Sequence, residues 1–141
     1  MKKVMKKTKK WLGILLAVLM TATMLPLTAM ADTAQIPAVC KMGEKTYTSI
    51  KEAINEAGSG ATITMIANST ENVTISDNKN ITLDLNGFTV TGTSGWVVKI
   101  EAGATFTLTD SGTDGKIDGN NSMRGVFNYG TFTMTGGTIT N

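Results

Sequence analysis

The sequence predicts an all-β solenoid, a stack of short strands wound in repeated turns, with one short helix ahead of it. One phrase occurs twice, as Thr-Phe-Thr-Leu-Thr at 105–109 and Thr-Phe-Thr-Met-Thr at 131–135, with a looser version, Asn-Ile-Thr-Leu-Asp-Leu-Asn-Gly, at 80–87. The spacing is even: 25 residues separate Ile81 from Phe106 and 26 separate Phe106 from Phe132, a period typical of coiled repeat architectures. Within each phrase apolar residues alternate with Thr or Asp, the mark of a strand with one buried and one wet face.

Residues 1–31 carry an address. Lys2, Lys3, Lys6, Lys7, Lys9 and Lys10 form a basic start, residues 11–25 an apolar core, and Ala29-Met30-Ala31 a small-residue cleavage site. Together they predict a secretory signal peptide cut between Ala31 and Asp32. The uncharged run 11–31 is 21 residues long, enough to span a bilayer, so membrane contact is expected only if this segment stays uncleaved. Six of the thirteen basic residues leave with it, so seven basic side chains then face eleven acidic ones. That balance leaves no basic face for nucleic acid. The remaining residues hold 20 threonines and 14 glycines, a composition suited to β structure with many tight turns.

Residues 32–46 show no periodicity beyond a possible edge strand at 36–41 and are expected to be a leader. Cys40 is the only cysteine, so no internal disulfide forms. Its surroundings do not suit lipid attachment, and an unpaired thiol near the N-terminus or under the first coil is expected. Residues 47–58 predict one helix. Ser49 and Glu52 have capping-box spacing, Ile50, Ala53, Ile54 and Ala57 make a single apolar stripe, and Gly58 offers a left-handed stop. A helix this short must lie on something.

Strands are expected at 61–66, 72–75, 81–85, 88–91, 96–100, 105–109, 116–117, 125–127, 131–135 and 138–140, with 67–71 a polar connection. Aligning the repeats predicts three inward columns: Ile81, Phe106 and Phe132; Leu83, Leu108 and Met134; Val90, Ile117 and Ile139. Outward columns are Thr82, Thr107 and Thr133, and Asp84, Thr109 and Thr135. Strands in successive coils would lie ~4.8 Å apart. Residues 111–114 have no counterpart in the next repeat and read as a loop thrown out from the stack.

The order of a capped helix, Gly-Ala-Thr-Ile-Thr-Met-Ile at 60–66, Lys-Asn-Ile-Thr-Leu-Asp-Leu-Asn-Gly at 79–87 and Tyr-Gly-Thr-Phe-Thr-Met-Thr-Gly-Gly-Thr-Ile at 129–139 resembles a known family. It is similar to the N-terminal part of the right-handed parallel β-helix domains, of the pectate-lyase-like superfamily, in bacterial cell-surface and secreted proteins. The resemblance implies that 47–141 are a capping helix and the first coils, and that the helix closes the N-terminal end. It specifies the fold and leaves activity open, since that superfamily includes lyases, hydrolases and adhesins.

Chemistry-bearing residues are few. There is no histidine, Arg124 is the only arginine, and Asp84 is followed in its column by threonines, so no carboxylate pair flanks a bond. Asp110, Asp114 and Asp118 are the best acidic grouping for a metal, but their spacing is neither that of an EF-hand nor that of the Gly-Gly-x-Gly-x-Asp repeat, and it suits turn chemistry. No cofactor is expected. Thr107, Thr109, Thr133 and Thr135 form a possible surface-contact array resembling the ice-binding faces of some β-helices. No matching ladder is expected in the earlier coils, and Thr is an ordinary outward strand residue. Trp96 and Tyr129 are candidates for stacking on sugars or for closing hydrophobic corners.

The function expected is a secreted or surface module with a structural, adhesive or glycan-contacting role. Its partners would be extracellular glycans or host and cell-surface proteins, with further coils or another copy meeting the strand that ends at Thr140. The alternatives are the front part of a polysaccharide lyase or glycoside hydrolase, and an ice- or surface-binding Thr array.

Overall fold

Apolar side chains two residues apart must share a face of a strand, and in the computed structural model the described residues carry such strands in three sheets. The structure describes residues 35–121 and 123–141. The expected signal peptide 1–31, with its Ala31/Asp32 cleavage point, lies outside them. Residues Ile36–Asn141 form one compact unit. No helix among the described residues is long and apolar enough to cross a membrane.

In chain order the elements are β1 (Cys40–Met42), β2 (Lys45–Tyr47), α1 (Ile50–Glu56), β3 (Ala61–Met65), β4 (Ser69–Thr70), β5 (Val73–Ile75), β6 (Asn80–Asp84), β7 (Thr89–Thr91), β8 (Trp96–Ile100), β9 (Thr105–Thr109), β10 (Lys116–Asp118), β11 (Arg124–Asn128), β12 (Thr131–Met134) and β13 (Thr138–Thr140). The first sheet has the order β12-β9-β6-β3-β1-β2, the second β13-β10-β7-β4, and the third β11-β8-β5. From β3 onward every pairing is parallel, and each pass of three consecutive strands places one in each sheet. Among the described residues the protein is therefore β-rich, with parallel sheets and one short helix.

The aligned columns pair as the repeat implies. Ile81 lies beside Phe106 and Phe106 beside Phe132, Leu83 beside Leu108 and Leu108 beside Met134, and Val90 beside Ile117 and Ile117 beside Ile139. The Phe106 and Phe132 rings stack with centroids 5.9 Å apart. Parallel sheets are usually covered on both faces and read as unbroken apolar runs. Here Thr82, Thr107 and Thr109 alternate with fully buried Ile81, Leu83, Phe106 and Leu108, so the core lies on one side of the sheet. Met134 departs from expectation. It is 42% exposed, because β12 has a neighbour on one side only.

The N-terminal residues are more structured than a leader. β1 and β2 form a hairpin, and β1 also pairs antiparallel with β3, Cys40 opposite Met65. Tyr47 accordingly belongs to a strand, and the helix begins at Ile50. Its stripe of Ile50, Ala53, Ile54 and Ala57 is buried, and α1 packs on β1, β3 and β5.

Ser49 is the helix N-cap that its spacing implies, but the Glu52 half of the box and the Gly58 stop are replaced. The Ser49 hydroxyl accepts from the Lys51 N–H, but Glu52 accepts from Thr48 Oγ1 at 2.9 Å. Glu71 completes the cap: its carboxylate accepts from Ile50 N (2.9 Å), Ser49 Oγ (2.9 Å) and Ser69 Oγ (2.7 Å). At the other end Lys79 Nζ donates to the carbonyls of Ile54 (3.0 Å) and Ala57 (2.8 Å). A carboxylate at the N-terminus and an ammonium at the C-terminus both match the helix dipole. Gly58 is not left-handed; Ala57 closes the helix in an extended conformation.

Two loops differ as well. The connection 67–71 contains β4, which pairs with β7 through Ser69 and Val90. Residues 111–114 are not thrown out: their backbone lies against the turn of the preceding pass. A Cβ on Gly112 would stand 2.5 Å from the Asn86 carbonyl carbon and from the Gly87 nitrogen. The contact is held crosswise. Asp84 accepts from Ser111 N and Oγ (2.8 and 2.7 Å), while Asp110 accepts from Gly87 N (2.7 Å).

Candidate functional site

A row of rings follows from the pairing of β8 with β11. Register places Trp96 beside Arg124 and Lys99 beside Phe127. The Trp96 and Phe127 rings stack with centroids 5.9 Å apart at 25°, and Tyr129 meets Phe127 edge-on at 4.8 Å and 70°. Both geometries are favoured by the ring quadrupole. Two cations border the row: Lys99 Nζ lies 5.7 Å from the Trp96 centroid, and the Arg124 guanidinium carbon 5.1 Å from that of Phe127. Lys99 also pairs with Glu101 at 3.2 Å.

Exposure decides which ring can receive a ligand. Trp96 and Phe127 are half-buried and turned toward one another, so their faces are largely engaged within the protein. Tyr129 is 62% exposed and is one of the few large apolar groups in that state among the described residues. Of the two aromatics singled out from the sequence, Tyr129 is the available platform and Trp96 its support. Phe127 and Lys99 were not singled out. Their signal was a constant offset of 28 residues, from Trp96 to Arg124 and from Lys99 to Phe127.

The threonine array is larger than expected. Thr62, Thr82, Thr107 and Thr133 are consecutive partners across four strands, so the ladder does reach the earlier passes. The second column runs Thr64, Asp84, Thr109, and a carboxylate interrupts it. The Thr135 hydroxyl donates to the Leu108 carbonyl at 3.3 Å.

The three aspartates do not converge. Asp110 accepts from Gly87, Gly112 and Gly115, Asp118 pairs with Lys116 at 2.8 Å, and Asp114 is an exposed turn residue with φ of 65°. Among the described residues no group of three His, Cys, Asp or Glu side chains is arranged to hold a metal. Cys40 is free and fully buried. Burial, with Glu71 and Glu52 nearby, pushes its thiol up to about 12, which keeps it protonated and unreactive at neutral pH.

Two turn carboxylates make the fold acid-sensitive. Burial works against ionisation of Asp84, but the Ser111 hydroxyl and the N–H groups of Ser111 and Asn86 outweigh it and hold its carboxyl below the usual range. The Lys116 ammonium, then the Asn120 N–H, do the same for Asp118. A depressed folded-state pKa adds stability above the unfolded value, about 3.9, and loses it as pH falls through the folded value. Melting temperature is therefore expected to hold from neutral pH to about 4 and to fall below that, less steeply in Asp84→Asn. A variant with an unchanged acid limb would remove Asp84 from this account.

Comparison with family models, with curated proteins and with solved structures returned no match.

Proposed function

We propose that this chain is an exported surface module that contacts extracellular glycans, built as a right-handed parallel β-helix whose N-terminal end is closed by α1 and the β1–β2 hairpin. The coil reading is supported by the in-register inward columns and by the return of each pass to the same three sheets. Right-handed crossover is the strong rule for parallel connections. Export is supported by the basic start, apolar core and Ala-x-Ala ending of residues 1–31.

The observation that carries the binding reading is the ring row, with Tyr129 outward and braced by Phe127 and Trp96. An exposed ring held rigid by neighbours presents a flat apolar face to a sugar at little entropic cost. The test is retention on a panel of immobilised neutral and acidic polysaccharides. Tyr129→Ala is expected to weaken binding about tenfold with an unchanged melt. Retention of nothing on the panel, or equal retention by the variant, would remove this reading. Release of soluble oligosaccharides from the panel would favour a polysaccharide-cleaving enzyme instead.

The four-deep column of Thr62, Thr82, Thr107 and Thr133 favours a second reading, a face that meets an ordered solid such as ice. Thermal hysteresis in wild type that disappears in Thr107→Lys is its expected signature; freezing at the equilibrium point would dismiss it.

A further inference from the structure

A backbone amide can attack the side chain of the residue before it when that residue is Asn or Asp. Glycine attacks most readily because it carries no Cβ to obstruct the approach. The glycine nitrogen loses its proton to hydroxide and bonds to Cγ. From Asn the Cγ–Nδ2 bond breaks and ammonia leaves with a proton returned by water; from Asp the reacting form is the protonated carboxyl, whose Cγ–OH bond breaks so that water leaves. Water then opens the five-membered imide at either carbonyl, giving Asp or its isomer with the main chain routed through the side chain.

Three such dipeptides occur among the described residues: Asn86-Gly87, Asp114-Gly115 and Asp118-Gly119. Asn86 and Asp114 both sit in tight turns with positive φ, 46° and 65°. Their attacking nitrogens meet at one side chain. Asp110 Oδ1 accepts the Gly87 N–H at 2.7 Å and Asp110 Oδ2 accepts the Gly115 N–H at 2.9 Å. The third nitrogen, Gly119 N, donates to the Thr140 carbonyl at 2.9 Å. The Asn86 amide is also tethered, its Nδ2 donating to the Met65 carbonyl at 3.0 Å.

We propose that Asp110 is a chemical guard: one carboxylate withholds both glycine nitrogens and protects Asn86 from deamidation and Asp114 from isomerisation. A negative charge in contact with each N–H opposes the proton loss that must precede attack. The bond directs the nitrogen's hydrogen toward Asp110, where the backbone is needed for the turn. This assigns Asp110 a role that does not depend on the glycan reading.

Peptide mapping of the full chain tests it, during incubation at mildly alkaline pH for Asn86 and at mildly acidic pH for Asp114. Folded wild type is expected to stay unmodified at Asn86 and Asp114, while urea-denatured wild type gains a single dalton at Asn86 and accumulates the isomer at Asp114. Asp110→Asn keeps one acceptor and the turn's shape, so one of the two dipeptides should age about tenfold faster. Asp110→Ala should release both. Variants that melt as wild type does and age at the wild-type rate overturn the proposal. If neither variant folds, hydrogen exchange in wild type decides: slow exchange at Gly87 and Gly115 supports the guard, and exchange as fast as in open loops overturns it.

Discussion

Glu71→Ala is expected to cost about 3 kcal/mol in chemical denaturation, more than any single helix-cap substitution normally does. The loss combines three contributions. The Ile50 N–H at the start of α1 loses its carboxylate, the Ser49 and Ser69 hydroxyls lose an acceptor, and the charge that complements the helix dipole disappears. Ser69 is nearly buried, so its orphaned hydroxyl has little access to water. Glu71→Gln keeps one acceptor oxygen and should lose about half as much. Ser49→Ala, which removes only the local cap, should cost about 1 kcal/mol. A Glu71→Ala protein as stable as wild type would mean that α1 is not held by the loop after β4.

Phe106→Ala is expected to cost about 3–5 kcal/mol, the range for emptying a buried aromatic site. The ring is almost completely buried between Ile81 and Phe132, with Leu108 and Leu83 on the neighbouring column. Close packing of the neighbouring columns limits how far the void can collapse. Phe132→Ala removes the same ring from a half-buried position and should cost about 1–2 kcal/mol, since part of that surface is already wet. Equal losses from the two variants, measured by urea denaturation, would contradict the packing described.

The columns were legible because two periodicities coincide. Alternation at two residues gives the face, and repetition at 25 to 26 gives the partner, so Ile81, Phe106 and Phe132 could be aligned from sequence. The helix stripe was legible for the same reason. Features that depend on contacts without a period were not. Glu71 stands 22 residues from the N-cap Ser49, and nothing in the chain between them marks it as that cap's partner. β4 has only Ser69 and Thr70, and it is a strand because Val90 and Thr91 lie beside it. β1 and β2 belong to an antiparallel hairpin outside the repeat.

The candidate site was half legible. Tyr129 and Trp96 stood out as isolated aromatics, but their connection runs through Phe127 in the third sheet. There the alternation fails, because Val97 and Val98 are both buried. The same irregularity hid the approach of Lys99 and Arg124. Residues 111–114 looked like an excursion because they break the repeat length. Asp84 and Asp110 fold that extra length back onto the Asn86-Gly87 turn through side-chain to backbone bonds that no periodic pattern records.

The most direct measurement is a nuclear Overhauser spectrum of protein labelled at Phe rings and Ile methyls. Magnetisation should pass from the Ile81 methyls to the Phe106 ring and from Phe106 to Phe132, since these side chains occupy adjacent strands of one sheet. Cross-peaks from Phe106 to neither partner, in a folded sample, would contradict the stacking on which the account rests.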